Sequence, residues 1–259
     1  MAVALAHAEW GAGPPVIVLH GLFGSAQNWA TIGKRLGDRF RVLVPDLRNH
    51  GRSPWARPMD YPAMAEDVAA FMDAQAIASA PVIGHSMGGK AAMVLALSTP
   101  GRVARLVVVD IAPVPRATVL DPYIEAMAQI DLSRIKRRGE ADAALKPAIA
   151  DAAVRNFLLQ NLVASDGGLR WRINLPVLHD DMPQIAGFPD FAAGAAYRGE
   201  TLVVRGAASD FVDEEGLAAF TRLFPKFELV TLAGAGHWVQ AEAPDAFLAA
   251  VTPFLQEKC

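Results

Sequence analysis

Short apolar runs pace this chain, each cut off by glycine, proline or charge, with longer amphipathic stretches between them. Val16–Leu19, Arg41–Val44, the run through Val82-Ile83, Val103–Val109, Thr201–Arg205 and Phe227–Leu232 read as strands. Val16–Leu19 and Val103–Val109 are continuously apolar, or nearly so, as expected of strands covered on both faces. Val3, Leu5 and His7 alternate, which predicts a short edge strand ahead of a turn at Gly11–Pro15. The intervening stretches carry helical spacing: Asn28–Leu36, Tyr61–Gln75, Lys90–Ser98, one through Leu217, Phe220 and Phe224, and a last one carrying Phe247, Leu248, Val251 and Leu255. Tyr61–Gln75 gathers Met64, Val68, Phe71 and Met72 on one face. Strands alternating with helices predict an α/β architecture, a mostly parallel central sheet with helices on both sides.

The pattern breaks from about Pro113 to Arg198. Strand signals stop there. Helical stretches (Asp121–Ile130, Ala141–Ala164) alternate with loops rich in Pro, Gly and Asp. This predicts a helical cap, residues 113–198, inserted into a core made of residues 1–112 and 199–259.

Composition narrows the function classes. Hydrophobic residues at 53% suffice for a large core, and a net charge of −3 points to neither nucleic acid nor an acidic membrane surface as partner. Cys259 is the single cysteine, so no internal disulfide is expected, and the chain suits a reducing, cytoplasmic setting. Met1–Trp10 lacks the cationic and apolar regions of a signal peptide, and no apolar run approaches a membrane span.

Chemistry enters where one strand ends. Val82-Ile83 runs into Gly84-His85-Ser86-Met87-Gly88, and a helix leaves at Lys90 to be closed by Pro100-Gly101. The Gly-x-Ser-x-Gly pentapeptide alone also fits a glycine-rich turn with a capping serine. Between a buried strand and a helix it predicts a nucleophile elbow, a turn that lifts the Ser86 hydroxyl above the sheet edge beside a helix amino end. A second strand, Val16–Leu19, empties into His20-Gly21-Leu22-Phe23-Gly24-Ser25. That loop can turn backbone N–H groups towards a developing oxyanion, although an ordinary connecting loop has the same look.

A serine hydroxyl needs a base. Among the six histidines, His237 follows the last strand in a glycine-rich loop and satisfies the order Ser, acid, His. His85 is expected to project away from Ser86, and His50 to brace the loop it shares with Arg48. For the acid, Asp110, Asp210 and Asp213 all lie between Ser86 and His237 near strand ends, and spacing alone leaves all three open.

Taken together, these segments resemble the α/β-hydrolase superfamily, and within it the small cap-bearing bacterial esterases of the YbfF type. The resemblance is carried by His20–Ser25, Asp46-Leu47-Arg48-Asn49-His50-Gly51, Tyr61-Pro62-Ala63-Met64, Gly84–Ala91, Asp110-Ile111-Ala112-Pro113, Trp171–Leu178 and Gly234-Ala235-Gly236-His237-Trp238. Most of the superfamily places its acid in a Gly-x-x-Asp motif after the strand at Thr201–Arg205, where this chain has Ser209. The resemblance therefore implies Asp110 as acid, with Ser209 as accessory and Asp210 as the alternative. It implies a serine esterase or thioesterase working without metal or cofactor. Ser86 attacks an acyl carbonyl, His237 takes its proton, and the N–H groups of Leu22 and Met87 hold the oxyanion. Activity is expected to rise with pH as His237 loses its proton.

Phe23, Met87, Trp238 and Trp171 are candidates for an apolar acyl pocket, though each also fits ordinary core packing. Ser133-Arg134-Ile135-Lys136-Arg137-Arg138 is a basic run. It reads either as a solvated face or as a site for the phosphates of an acyl-CoA, a thioester the resemblance admits alongside small-molecule acyl esters. Two other readings share the fold: a C–C bond hydrolase or haloperoxidase-like enzyme, and a non-catalytic ligand sensor.

Overall fold

The computed structural model describes residues 1–116 and 121–256. Cys259, and with it the expectation about disulfides, lies outside them. The core is a seven-stranded sheet. In chain order its strands are β1 (His7–Trp10), β2 (Pro15–Leu19), β3 (Arg41–Pro45), β4 (Ala80–His85), β5 (Val103–Val109), then β8 (Thr201–Gly206) and β9 (Phe227–Leu232); β6 (Leu162–Ser165) and β7 (Gly168–Trp171) form a separate hairpin. The spatial order is β1-β3-β2-β4-β5-β8-β9, and only β1 runs antiparallel to its neighbour. The expected edge strand is displaced: it begins at His7, not Val3. The backbone before it is held otherwise, Val3 N–H by the Asp67 carboxylate and Ala6 N–H by Ser53 Oγ.

Helices α1 (Ala30–Leu36), α2 (Tyr61–Ala74), α3 (Met87–Ser98), α9 (Glu214–Leu223), α10 (Val239–Glu242) and α11 (Pro244–Gln256) accompany the sheet. The continuous apolar run of β2 is explained by its two faces. Ile17 and Leu19 enter the core shared with α2 and α3, while Val16 and Val18 enter the opposite core with Trp29, Ile32 and Phe247.

Between β5 and β8 lie α4 (Asp121–Ala128), α5 (Arg138–Leu145), α6 (Ala152–Leu159), α7 (Leu175–Asp180) and α8 (Met182–Ala186), with the β6–β7 hairpin after α6. The single helix expected over Ala141–Ala164 is therefore two helices and a strand, and the segment is not purely helical. Asp166-Gly167 makes the two-residue hairpin turn, with Ser165 opposite Gly168. Four-residue strands with little apolar alternation gave this hairpin no period to read.

The segment is tied down by Lys90 of α3. Its side chain is buried, and Nζ donates to the carbonyls of Ala186 and Gly187 at 2.8 and 2.7 Å. Burial, with the charge of Arg116 adding to it, pulls the Lys90 pKa down to about 7. Among the described residues no helix is long and apolar enough to cross a membrane.

Candidate active site

Parallel strands send all their carboxyl ends to one edge, and chemistry-bearing loops collect there. Ser86 sits between β4 and α3 with φ 53° and ψ −121°, a left-handed conformation that a serine adopts only when its surroundings impose it. The two glycines make the crossing possible. A Cβ on Gly84 would lie 2.3 Å from the Gly88 carbonyl oxygen, and one on Gly88 would lie 2.5 Å from the carbonyl oxygens of Leu19 and His20. Met87, the first residue of α3, has an N–H that the helix itself leaves unpaired.

The β9 loop brings His237 to this turn. His237 Nε2 is 3.1 Å from Ser86 Oγ, and His237 Nδ1 is 2.8 Å from Asp110 Oδ2. A carboxylate only accepts, so Nδ1 carries the proton and Nε2 is free to accept from the serine hydroxyl. Asp110 follows β5 and is fully buried; its other oxygen accepts from the Gly206 N–H at 3.0 Å, and the Ser209 hydroxyl donates to Oδ2. The structure thus brings Ser86, His237, Asp110 and Ser209 into one hydrogen-bonded line. It leaves Asp210 out: that residue is exposed and close enough to Arg116 to favour its charge. Asp213 is also elsewhere, capping α9 and paired with Arg116, whose guanidinium holds the carboxyl down to about 2.

Other histidines have supporting positions. His50 braces its loop as expected: Nδ1–H donates to the Arg48 carbonyl at 2.9 Å, while Nε2 accepts the Phe23 N–H at 3.2 Å. Arg48 is itself clasped by Asp67. His20 Nδ1 meets the Gly21 carbonyl at 2.8 Å and Nε2 accepts the Leu47 N–H. His85 departs from expectation. It does not turn away from the site but packs 4.8 Å from the His237 ring, and its Nε2–H donates to the His237 carbonyl at 2.8 Å. The elbow residue before the serine therefore also holds the loop that carries His237.

A cavity of about 200 Å³ opens over Ser86. Leu22 and Phe23 line one side, His237 and Trp238 another, and Tyr123, Val154, Phe157 and Leu158 of the inserted segment form the rest with Phe211. The wall is chiefly apolar side chains, with Asn28 and Gln240 among the few polar ones. Phe211 stacks on the His237 ring at 4.1 Å, and Phe157 meets Trp238 at 5.7 Å. Of the pocket expectations, Phe23 and Trp238 are on this wall. Trp171 is not: it ends β7 and packs, partly buried, against the core. Met87 is likewise absent from the wall and is buried in the core. Sequence reasoning missed Phe211, Phe157 and Tyr123, since nothing in their local pattern separates a wall residue from a core residue. The run Ser133–Arg138 is mostly exposed; Arg137 pairs with Glu140 and Arg138 donates to the Asn156 carbonyl.

A hydroxyl, an imidazole and a carboxylate in line on a strained strand-to-helix turn, at the carboxyl edge of a parallel sheet, define a protein of the serine-hydrolase type. Comparison with known proteins agrees. Residues 14–244 match the family model described as the alpha/beta hydrolase fold, and the chain belongs to that family. It is 40% identical over 252 residues to the sn-1-specific diacylglycerol lipase ABHD11 of Xenopus laevis, covering 94% of this chain and 80% of that protein. It is 38% identical over 244 residues to Esterase YbfF of Escherichia coli strain K12, covering 94% and 93%. A marine microorganism esterase of known structure superposes with a TM-score of 0.95 at 36% identity, over 98% of this chain and all of that one. The expected fold class and the YbfF-type resemblance are borne out.

Proposed function

We propose that this protein is a serine esterase acting on small to medium acyl esters through an acyl-enzyme, with Ser86 as nucleophile, His237 as general base and acid, and Asp110 as the carboxylate that orients His237. The observation that carries this reading is the line Ser86 Oγ to His237 Nε2 to Asp110, at 3.1 and 2.8 Å, on an elbow whose serine is held at φ 53°. Ester-cleaving names among the relatives support it.

In the first half-reaction Ser86 Oγ bonds to the acyl carbon as His237 Nε2 takes its proton. The carbonyl electron pair moves onto oxygen, facing the N–H groups of Leu22 and Met87, each such donor contributing about 3 kcal/mol. The pair returns, the bond to the leaving alcohol breaks, and His237 protonates it. Water then repeats the sequence on the acyl-enzyme. The buried Asp110 carboxylate holds the His237 ring and stabilises the imidazolium as it forms.

Residues 113–198 act as a cap that supplies much of the acyl-binding wall. A coenzyme A thioester presents the same carbonyl, and the exposed basic run offers cations for its phosphates. Unchanged acyl-CoA turnover after neutralising Arg134, Lys136, Arg137 and Arg138 removes that part of the reading. The test of the whole is hydrolysis of p-nitrophenyl esters from acetyl to dodecanoyl, wild type against Ser86→Ala. Turnover that disappears with Ser86 supports it. A wild type inert on every ester and thioester overturns it.

A further inference from the structure

The loop that carries Leu22 is held in a conformation it would not keep alone. Phe23 has φ 62°, a left-handed backbone that bulky residues avoid. Such a residue persists when its surroundings over-determine it, and here both of its peptide groups are pinned. Its N–H donates to His50 Nε2 at 3.2 Å, and its carbonyl accepts from Asn161 Nδ2 at 2.8 Å. The preceding peptide is pinned too, because the Gly21 carbonyl accepts from the Gly24 N–H at 3.0 Å and meets His20 Nδ1 at 2.8 Å. In a trans peptide the C=O and N–H point opposite ways, so fixing the Gly21 oxygen fixes the direction of the Leu22 N–H.

Three of these restraints belong to the sheet and its loops. The fourth does not. Asn161 lies at the turn between α6 and β6, fully buried, and its own backbone carbonyl accepts from the Arg172 N–H at 2.7 Å. Its Nδ2 faces two carbonyls, Phe23 and Leu158, while its Oδ1 is buried with no hydrogen-bond partner among the described residues. An unmet buried acceptor destabilises a fold. What this amide provides in exchange is a donor reaching from the inserted segment to the loop beside Ser86. The helix just before it, α6, bears Val154, Phe157 and Leu158 of the cavity wall.

We infer that Asn161 is a positioning residue for the oxyanion hole: by holding the Phe23 carbonyl it fixes the Gly24 N–H of the same peptide on the Gly21 oxygen and so keeps the Leu22 N–H aimed at the developing oxyanion, which makes the inserted segment part of the catalytic machinery and not only a roof. This rests on the esterase reading above. A positioning role acts on the transition state more than on substrate binding, so it separates kcat from KM.

The experiment compares wild type, Asn161→Ala and Asn161→Ser, with rates normalised to the sites titrated by a fluorophosphonate. For Asn161→Ala we expect kcat to fall about tenfold and KM to stay within about twofold, less than the loss from deleting an oxyanion donor outright. Affinity for an alkyl trifluoromethyl ketone, which forms a tetrahedral oxyanion adduct with serine, is expected to fall by the same factor as kcat. Affinity for the matching alkyl alcohol, which forms no adduct, is expected to hold. If Asn161→Ala does not fold, the same two inhibitors measured on Asn161→Ser decide the matter. A kcat within twofold of wild type, a loss carried by KM, or equal losses for both inhibitors overturns the inference. A wild type that is neither labelled at Ser86 nor active on esters overturns the esterase reading instead.

Discussion

The carboxyl edge of the sheet and the segment between β5 and β8 reach the same cavity by different means. At the edge, backbone geometry places the functional atoms: a glycine-flanked turn raises Ser86, a strand end buries Asp110, and a glycine-rich loop swings His237 across. In the segment, side chains do the placing. Tyr123, Val154 and Phe157 reach the cavity from short helices joined by irregular loops, and the segment is anchored through Lys90 and Asn161. The edge is a device with few tolerated variations. The segment is a surface whose residues can be exchanged if its anchors hold. Chemistry should therefore be all-or-none at the edge, and selectivity should be graded in the segment.

The hardest test of that contrast is Ser86→Ala, expected to cost about 10⁵-fold or more in kcat with the fold intact, read by ester hydrolysis and thermal unfolding. Ser86→Gly is the sharper companion. It should be as inactive yet more stable by up to about 1 kcal/mol, because glycine adopts φ 53° without strain. A melting temperature no higher than wild type would show that the elbow stores nothing.

Asp110→Asn should cost about 10⁴-fold, since an amide leaves the wrong His237 tautomer, whereas the exposed Asp210→Asn should stay within twofold. The reverse result would transfer the acid to the β8 loop.

Acid should damage the edge before the surface. His20, His50 and His85 are buried, and burial holds each below the ordinary histidine range, His50 and His85 at about 3. The unfolded chain takes up protons near 6.5 and the folded chain does not. Their contribution is complete above about pH 6.5 and is lost below it, for His50 and His85 down to about 3 and by about 1.4 kcal/mol for each of these two per pH unit. Melting temperature should fall from pH 7 to 5, and less steeply in His85→Gln. An unchanged slope in that variant would remove His85 from the account.

The smallest effect belongs to the segment. Phe157→Ala should enlarge the cavity and move the preferred acyl length upward, changing the ratio of kcat/KM between long and short esters about tenfold while leaving the best substrate's kcat near wild type. A loss of kcat on every ester would mean that this wall, too, is part of the chemistry.

The sequence itself determined the sheet, the elbow and the loop that bears His237. Continuous apolar runs mark strands covered on both sides, and a strand that stops at glycine, serine and glycine has few ways to turn into a helix. These are local properties, and neighbouring residues are enough to express them. The carboxylate partner of His237 could not be read that way, because Asp110, Asp210 and Asp213 are equivalent in spacing; the fold puts Asp110 against His237, pairs Asp213 with Arg116 and leaves Asp210 exposed. Tertiary structure alone decided the hairpin's place, the exclusion of Trp171 from the cavity wall, the stacking of Phe211 on His237 and the reach of Asn161 to Phe23. The hairpin strands are too short to show a period, and the other three depend on residues far apart in the chain, which leaves no motif in either partner's own sequence.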